Sequence, residues 1–127
     1  MDAARTHQKV PAQKLDRSAC LGPDGAVAHV TRCLRMIRGR WKLPILFRLY
    51  ADEMLRSSHL LRDIPDVSQK MLTQHLRELE ADGLIQRTDF GETPPRVEYR
   101  LTDRGEALMP VLIAARQFGE EHERETR

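Results

Sequence analysis

Between Ala26 and Leu79 apolar side chains return every three or four positions, the spacing of helices that each bury one face. Ala26, Val30, Leu34 and Ile37 form a first stripe, opened by Pro23-Asp24 and closed by Gly39. Trp41, Ile45, Leu46 and Leu49 form a second, running to about Asp52, with Pro44 in its first turn, where a missing N–H costs little. A short link then holds Met54 and Leu55. Ser57 stands where a third helix would be capped, with Leu60, Leu61 and Ile64 inside and a Pro65-Asp66 turn to stop it. Ser68 precedes a fourth, whose inner stripe is Leu72, Leu76 and Leu79. Gly83 ends it, a residue suited to the left-handed closing position.

The period then shortens. Leu84–Phe90 and Val97–Leu101 are two short strand candidates. The link between them, Gly91-Glu92-Thr93-Pro94-Pro95-Arg96, is too rich in proline and glycine for a ladder and is expected to project as a loop. Helical spacing resumes after Thr102-Asp103 with Leu108, Val111, Leu112, Ala115 and Phe118. Pro110 inside that run argues locally for a bend or a break, against the apolar pattern, and the helix is expected to continue through it. Residues 1–22 carry no apolar period and read as a flexible tail, residues 23–122 as one domain, and 123–127 as a second tail.

Helix, turn, helix and then a hairpin is the order of a winged helix-turn-helix, a mainly α fold with a small β-hairpin. An α-helix fits the DNA major groove and meets base edges with its N-terminal half. Residues 68–82 are the candidate recognition helix, and their outward positions carry Gln69, Lys70, Thr73, Gln74 and Arg77. Gln pairs bidentately with adenine, and Lys or Arg with guanine or a phosphate. Ser68 sits at the helix N-terminus, where backbone amides attract phosphate. The loop 91–96 offers Arg96 on a stiff Pro-Pro stem, suited to the minor groove or the backbone. The plain alternative is an amphipathic surface helix with solvated polar groups; the hairpin with its tip arginine is what argues against it.

Charge adds a second signal. The net charge over 127 residues is only +2, yet no acid occurs from Gly25 to Ala51, a window holding Arg32, Arg35, Arg38, Arg40, Lys42 and Arg48. Such a block fits a polyanion, with Arg40 and Lys42 the foremost candidates for phosphate, or a merely solvated helix face. Residues 103–127 lean acidic. No run approaches the roughly 18 apolar residues of a membrane span, and no apolar signal core opens the chain. Two cysteines, Cys20 and Cys33, cannot form a disulfide framework, so a cytoplasmic protein is expected. His29 and Cys33 are spaced as a ligand pair on one helix, but a closed zinc site needs four ligands, and no metal or other cofactor is expected. No glycine-rich phosphate loop, nucleophile elbow or apolar carboxylate pair is present, so no enzyme is expected. His75 adjoins the recognition face and is expected there to be exposed or to meet the DNA backbone.

Three stretches resemble the HxlR-type transcriptional regulators. These are Arg40–Leu46 (RWKLPIL), Ile64–Ile85 (IPDVSQKMLTQHLRELEADGLI) and Pro94–Thr102 (PPRVEYRLT). The resemblance extends over about residues 26–119. It implies a homodimeric, sequence-specific DNA-binding regulator acting on a pseudo-palindromic operator. The dimer would form through the first and last helices, which puts Val30, Leu34, Leu108, Val111, Leu112, Ala115 and Phe118 at the interface. The plain alternative is that these pack on their own core. Many family members carry a cysteine that would fall at Val27 or Ala28 here, so the redox sensing of some members does not transfer. Ser57 replaces a usual aromatic, and Phe118 stands where tryptophan is common. Two other readings accompany the regulator: a winged-helix module that binds only protein, and a sensor of redox state or of an unknown small molecule with DNA as output.

Overall fold

A computed structural model describes residues 16–126. The chain runs α1 (Arg17–Leu21), α2 (Ala26–Met36), α3 (Lys42–Ala51), α4 (Ser57–Asp63), α5 (Gln69–Ala81), β1 (Ile85–Asp89), β2 (Val97–Leu101) and α6 (Asp103–Thr126). It parts into two compact units after Arg35.

In the first unit, Arg17–Leu21 is helical although no apolar period marks it, which corrects the tail reading for these residues. The Asp16 carboxylate opens the turn by accepting the Ala19 N–H at 2.8 Å. Residues 1–15 lie outside the described residues. α2 follows the expected stripe, yet none of its residues is buried.

In the second unit, α3 buries Ile45, Leu46 and Leu49, and α5 buries Leu72, Leu76 and Leu79. Leu60 and Ile64 of the α4 segment, Leu84 and Ile85 at the start of the hairpin, and Met109 and Leu112 of α6 complete this core. α4 begins one residue earlier in its capping than the sequence suggests. Its N-cap is Arg56, not Ser57, and the Arg56 N–H donates to His59 Nδ1 at 3.2 Å. The turn to α5 passes through Asp66 at φ 68°, a left-handed residue that Asp tolerates. Ser68 then caps α5 as expected, its hydroxyl accepting the Met71 N–H at 3.1 Å.

The strands pair antiparallel, with Ile85 opposite Leu101 and Asp89 opposite Val97. β2 gains a further partner on its other edge. Leu55 exchanges both backbone hydrogen bonds with Tyr99, at 3.0 and 2.8 Å, and so ties the α3–α4 link to the wing. Gly105 sits where a Cβ would collide with the Leu84 carbonyl oxygen; only glycine lets α6 approach the base of the hairpin so closely. Thr102 reinforces that junction, donating to the Gly83 carbonyl at 2.6 Å and accepting the Gly105 N–H at 3.1 Å.

α6 is one helix through Pro110, neither split there nor ended at 122. Pro110 is exposed, so the Glu106 carbonyl that loses its partner can be hydrated. Gly119 follows without ending the helix, and an Arg116–Glu120 pair spans one turn around it at 3.5 Å. The predicted C-terminal tail is therefore helix up to Thr126. No helix among the described residues is long and apolar enough to cross a membrane.

Candidate nucleic-acid interface

The inward arc of α5 holds Leu72, His75, Leu76 and Leu79, all buried. A helix that commits one arc to the core must turn the opposite arc to solvent. Gln69, Lys70, Thr73, Gln74 and Arg77 occupy that outward arc, all exposed, and with Glu78 they line one open groove. Among the described residues neither Lys70 nor Arg77 pairs with a carboxylate. Their charges face solvent. Ser68 lies at the head of this arc; its oxygen serves the cap, which leaves its O–H able to donate.

Beside the helix, Thr73, Arg77, Glu80, Arg87 and Tyr99 line a second hollow between α5 and the hairpin. Arg87, which lies 3.8 Å from Asp89, thus stands beside the cationic face, a placement that the sequence analysis does not predict. The available signal was strand phase: Arg87 shares the face of Ile85, the residue through which β1 enters the core.

Three arginines and a lysine read from sequence as phosphate contacts meet different fates. Arg77 is exposed, as described. Arg40 is exposed too; it stacks over Trp41 at 4.5 Å and lies 3.8 Å from Asp66 in the helix-turn-helix turn. Arg96 does not extend from the wing. Its guanidinium lies over Phe90 at 3.9 Å and pairs with Glu92 at 3.3 Å. Lys42 is a correction. Its side chain is only 9% exposed, and Nζ sits 2.9 Å from Glu78 Oε1. The reason is geometric: Lys42 opens α3 where that helix packs on α5, so its ammonium faces a neighbouring carboxylate rather than solvent.

Glu78 uses both oxygens. Oε1 takes Lys42, and Oε2 accepts the Gln74 Nε2–H at 3.2 Å. The Lys42 contact, then the Gln74 hydrogen bond, hold its carboxyl well below the usual range, at about 2. His75 is a second correction: it is buried, not on the recognition face, with Nδ1 3.5 Å from Glu78 Oε1. At the far end of α3, Arg48 pairs with Asp52 at 2.8 Å and Asp63 at 2.7 Å, so this cation too is held internally.

The expected dimer positions divide. Val30, Leu34, Val111 and Phe118 are at least half exposed, and Ala115 is exposed. Leu108 packs partly on the core of its own unit. Leu112 is 5% exposed within that core, so it is not available to a partner. Ile37, Leu43, Phe47, Leu112, Ala115 and Arg116 line an apolar hollow beside α6. Neither Cys20 nor Cys33 forms a disulfide, and the described residues contain no group of three or more His, Cys, Asp or Glu placed to hold a metal ion.

The profile of the HxlR-like helix-turn-helix family matches residues 36–127. An HTH-type transcriptional regulator of Methanothermobacter thermautotrophicus is 43% identical over 99 residues, 78% of this chain and 75% of the relative. A transcriptional regulator assigned to the MarR family from Enterococcus faecalis V583 superposes with a TM-score of 0.74 at 37% identity, covering 80% of this chain and 91% of the other. The reduced form of the redox regulator HypR superposes with a TM-score of 0.68 at 40% identity, covering 75% and 93%.

Proposed function

The chain belongs to the HxlR-like helix-turn-helix family of transcriptional regulators, and from that premise we propose that it binds double-stranded DNA as a homodimer at a pseudo-palindromic operator. α5 enters the major groove. Gln69, Lys70, Thr73 and Gln74 face base edges; Ser68, Arg77, Arg87 and Arg40 hold phosphates; Arg96 reaches the minor groove or backbone after leaving Glu92. The half-sites lie one or two helical turns apart, about 34 Å per turn. Val30 and Leu34 of α2 with Leu108, Val111, Ala115 and Phe118 of α6 meet the second copy, which relieves the exposure of large apolar side chains. The protein performs no chemistry on its ligand.

The observation that carries this reading is the outward arc of α5: five polar or cationic side chains side by side, with two cations that pair with no carboxylate among the described residues. A protein-binding winged helix has no need of such an arc. The test is a fluorescence-anisotropy titration of the selected operator with Lys70→Ala and Gln74→Ala. Each variant is expected to lose roughly 1–3 kcal/mol of site affinity. Operator affinity untouched by both variants would show that α5 is not the reading helix.

A further inference from the structure

Gln74 stands in the outward arc, but its amide is not left to rotate. A carboxylate can only accept hydrogen bonds, so the group that Gln74 turns to Glu78 must be its NH2. That bond is 3.2 Å long, and it points the amide oxygen away from Glu78. Glu78 is itself held by Lys42, whose side chain is almost wholly buried and whose Nζ is 2.9 Å from Oε1. The lysine, the carboxylate and the amide therefore form a chain from the interior of the α3–α5 contact to the surface of α5.

We propose that Lys42 and Glu78 are positioning residues that lock the Gln74 carboxamide with its oxygen outward, so that Gln74 selects adenine at one position of each half-site. The inference rests on the DNA-binding reading above. In the major groove adenine presents an N6 amino donor beside the N7 acceptor, whereas guanine presents two acceptors, O6 and N7. The outward oxygen accepts from N6, and the second N–H of the same amide donates to N7. To meet guanine the amide would have to turn over, setting its oxygen against the Glu78 carboxylate. The pair thus acts against the wrong base as well as for the right one. A lysine placed this way contributes nothing to phosphate binding. Its low exposure and short ion pair set it apart from Lys70 and Arg77 on the same side of the molecule.

The test compares the full-length wild type with Glu78→Gln, Lys42→Met and Lys42→Arg in two readouts. In the first, each protein selects from a randomised duplex pool, and the bound fraction is sequenced. Wild type and Lys42→Arg are expected to enrich adenine at one position of each half-site. Glu78→Gln and Lys42→Met are expected to lose its preference over guanine there by about fivefold or more. In the second, the side-chain amide signals of Gln74 are followed by NMR in the absence of DNA, assigned by their loss in Gln74→Ala. Glu78→Gln is expected to shift them toward those of a solvated glutamine. Unchanged base preference at every position, or coincident amide signals in wild type and Glu78→Gln, would overturn the proposal. A wild type that enriches no site would overturn the base-reading half together with the DNA-binding reading, while the NMR readout judges the positioning half by itself. Lys42→Arg keeps the ion pair, so its behaviour separates positioning from mere loss of folding in Lys42→Met.

Discussion

The cations of residues 40–48 and those of α5 look alike in sequence and behave differently in the fold. In the first region Lys42 is buried against Glu78, Arg48 is held by Asp52 and Asp63, and Arg40 is draped over Trp41. In the second, Lys70 and Arg77 stand exposed without a carboxylate partner among the described residues. A stretch without acids therefore misleads when read alone. Its partners come from elsewhere in the chain, and the acids that neutralise Lys42 and Arg48 lie on α5, at the end of α3 and at the end of α4. What decides whether a cation meets an external polyanion is the packing around it. Exposed cations without partners attract phosphate and release counterions, whereas paired ones stabilise the fold.

The largest effect expected from this contrast is in α5. Lys70→Ala combined with Arg77→Ala should weaken operator binding twice over, by a lost base contact of Lys70 and by a lost phosphate contact of Arg77 that is felt on duplexes of every sequence. It should also flatten the dependence of log affinity on log salt by about one, for the phosphate contact of Arg77, as read by anisotropy across a salt series. Its stability should move by no more than about 0.5 kcal/mol, as usual for exposed positions. A double variant with an unchanged salt slope would break the comparison from the α5 side.

A smaller effect, of the opposite kind, is expected in the first region. Lys42→Met should lower the melting temperature and leave the salt slope where it was. The same pairing predicts how stability depends on pH. Glu78 is held at about 2 in the fold against an ordinary 4.5, chiefly by Lys42. Asp63 is lowered as well, chiefly by its hydrogen bond from Arg48. A carboxyl depressed in the folded state stabilises above its unfolded value and loses that contribution as pH falls through the folded one. The melting temperature should therefore fall as pH drops from about 4.5 toward 2, and Glu78→Gln should make that fall shallower. A steeper salt slope for wild type than for Lys42→Met would return Lys42 to the phosphate-binding set.

The smallest effect belongs to Arg40, which lies between the two regions in character. It is well exposed, and its ion pair with Asp66 is long, at 3.8 Å. Arg40→Ala should reduce the salt slope by about one at most and change stability by less than about 0.5 kcal/mol.

Much of this architecture was legible because it is local. Ser68 caps α5, Gly83 takes φ 77°, and Leu72, Leu76 and Leu79 fill the core, each dictated by neighbours within a few residues. The hairpin followed from composition, with Val97–Leu101 found as expected and the first strand one residue shorter at each end than Leu84–Phe90. Part of what escaped was set by partners distant in sequence. Nothing near Lys42 announces Glu78, and nothing near Leu55 announces its bridge to Tyr99. His75 looked like part of a polar face because its type is polar, yet its phase on the helix falls in the buried arc with Leu72 and Leu79. Leu112 belonged to an apolar stripe wide enough to serve both the core and a partner, and sequence alone could not divide it. Arg96 was recognised as a wing residue, but its stacking on Phe90 depends on how the loop folds back. On α5, then, which side chains face outward was readable, whereas the internal pairing of the cations around it was not.

The most direct test of the account is selection of the full-length protein against a randomised duplex pool at two salt concentrations, with sequencing of the bound fraction. The account predicts enrichment of an inverted repeat and affinity that falls steeply as salt rises. Binding without any enriched repeat, or no salt-sensitive binding at all, would contradict it.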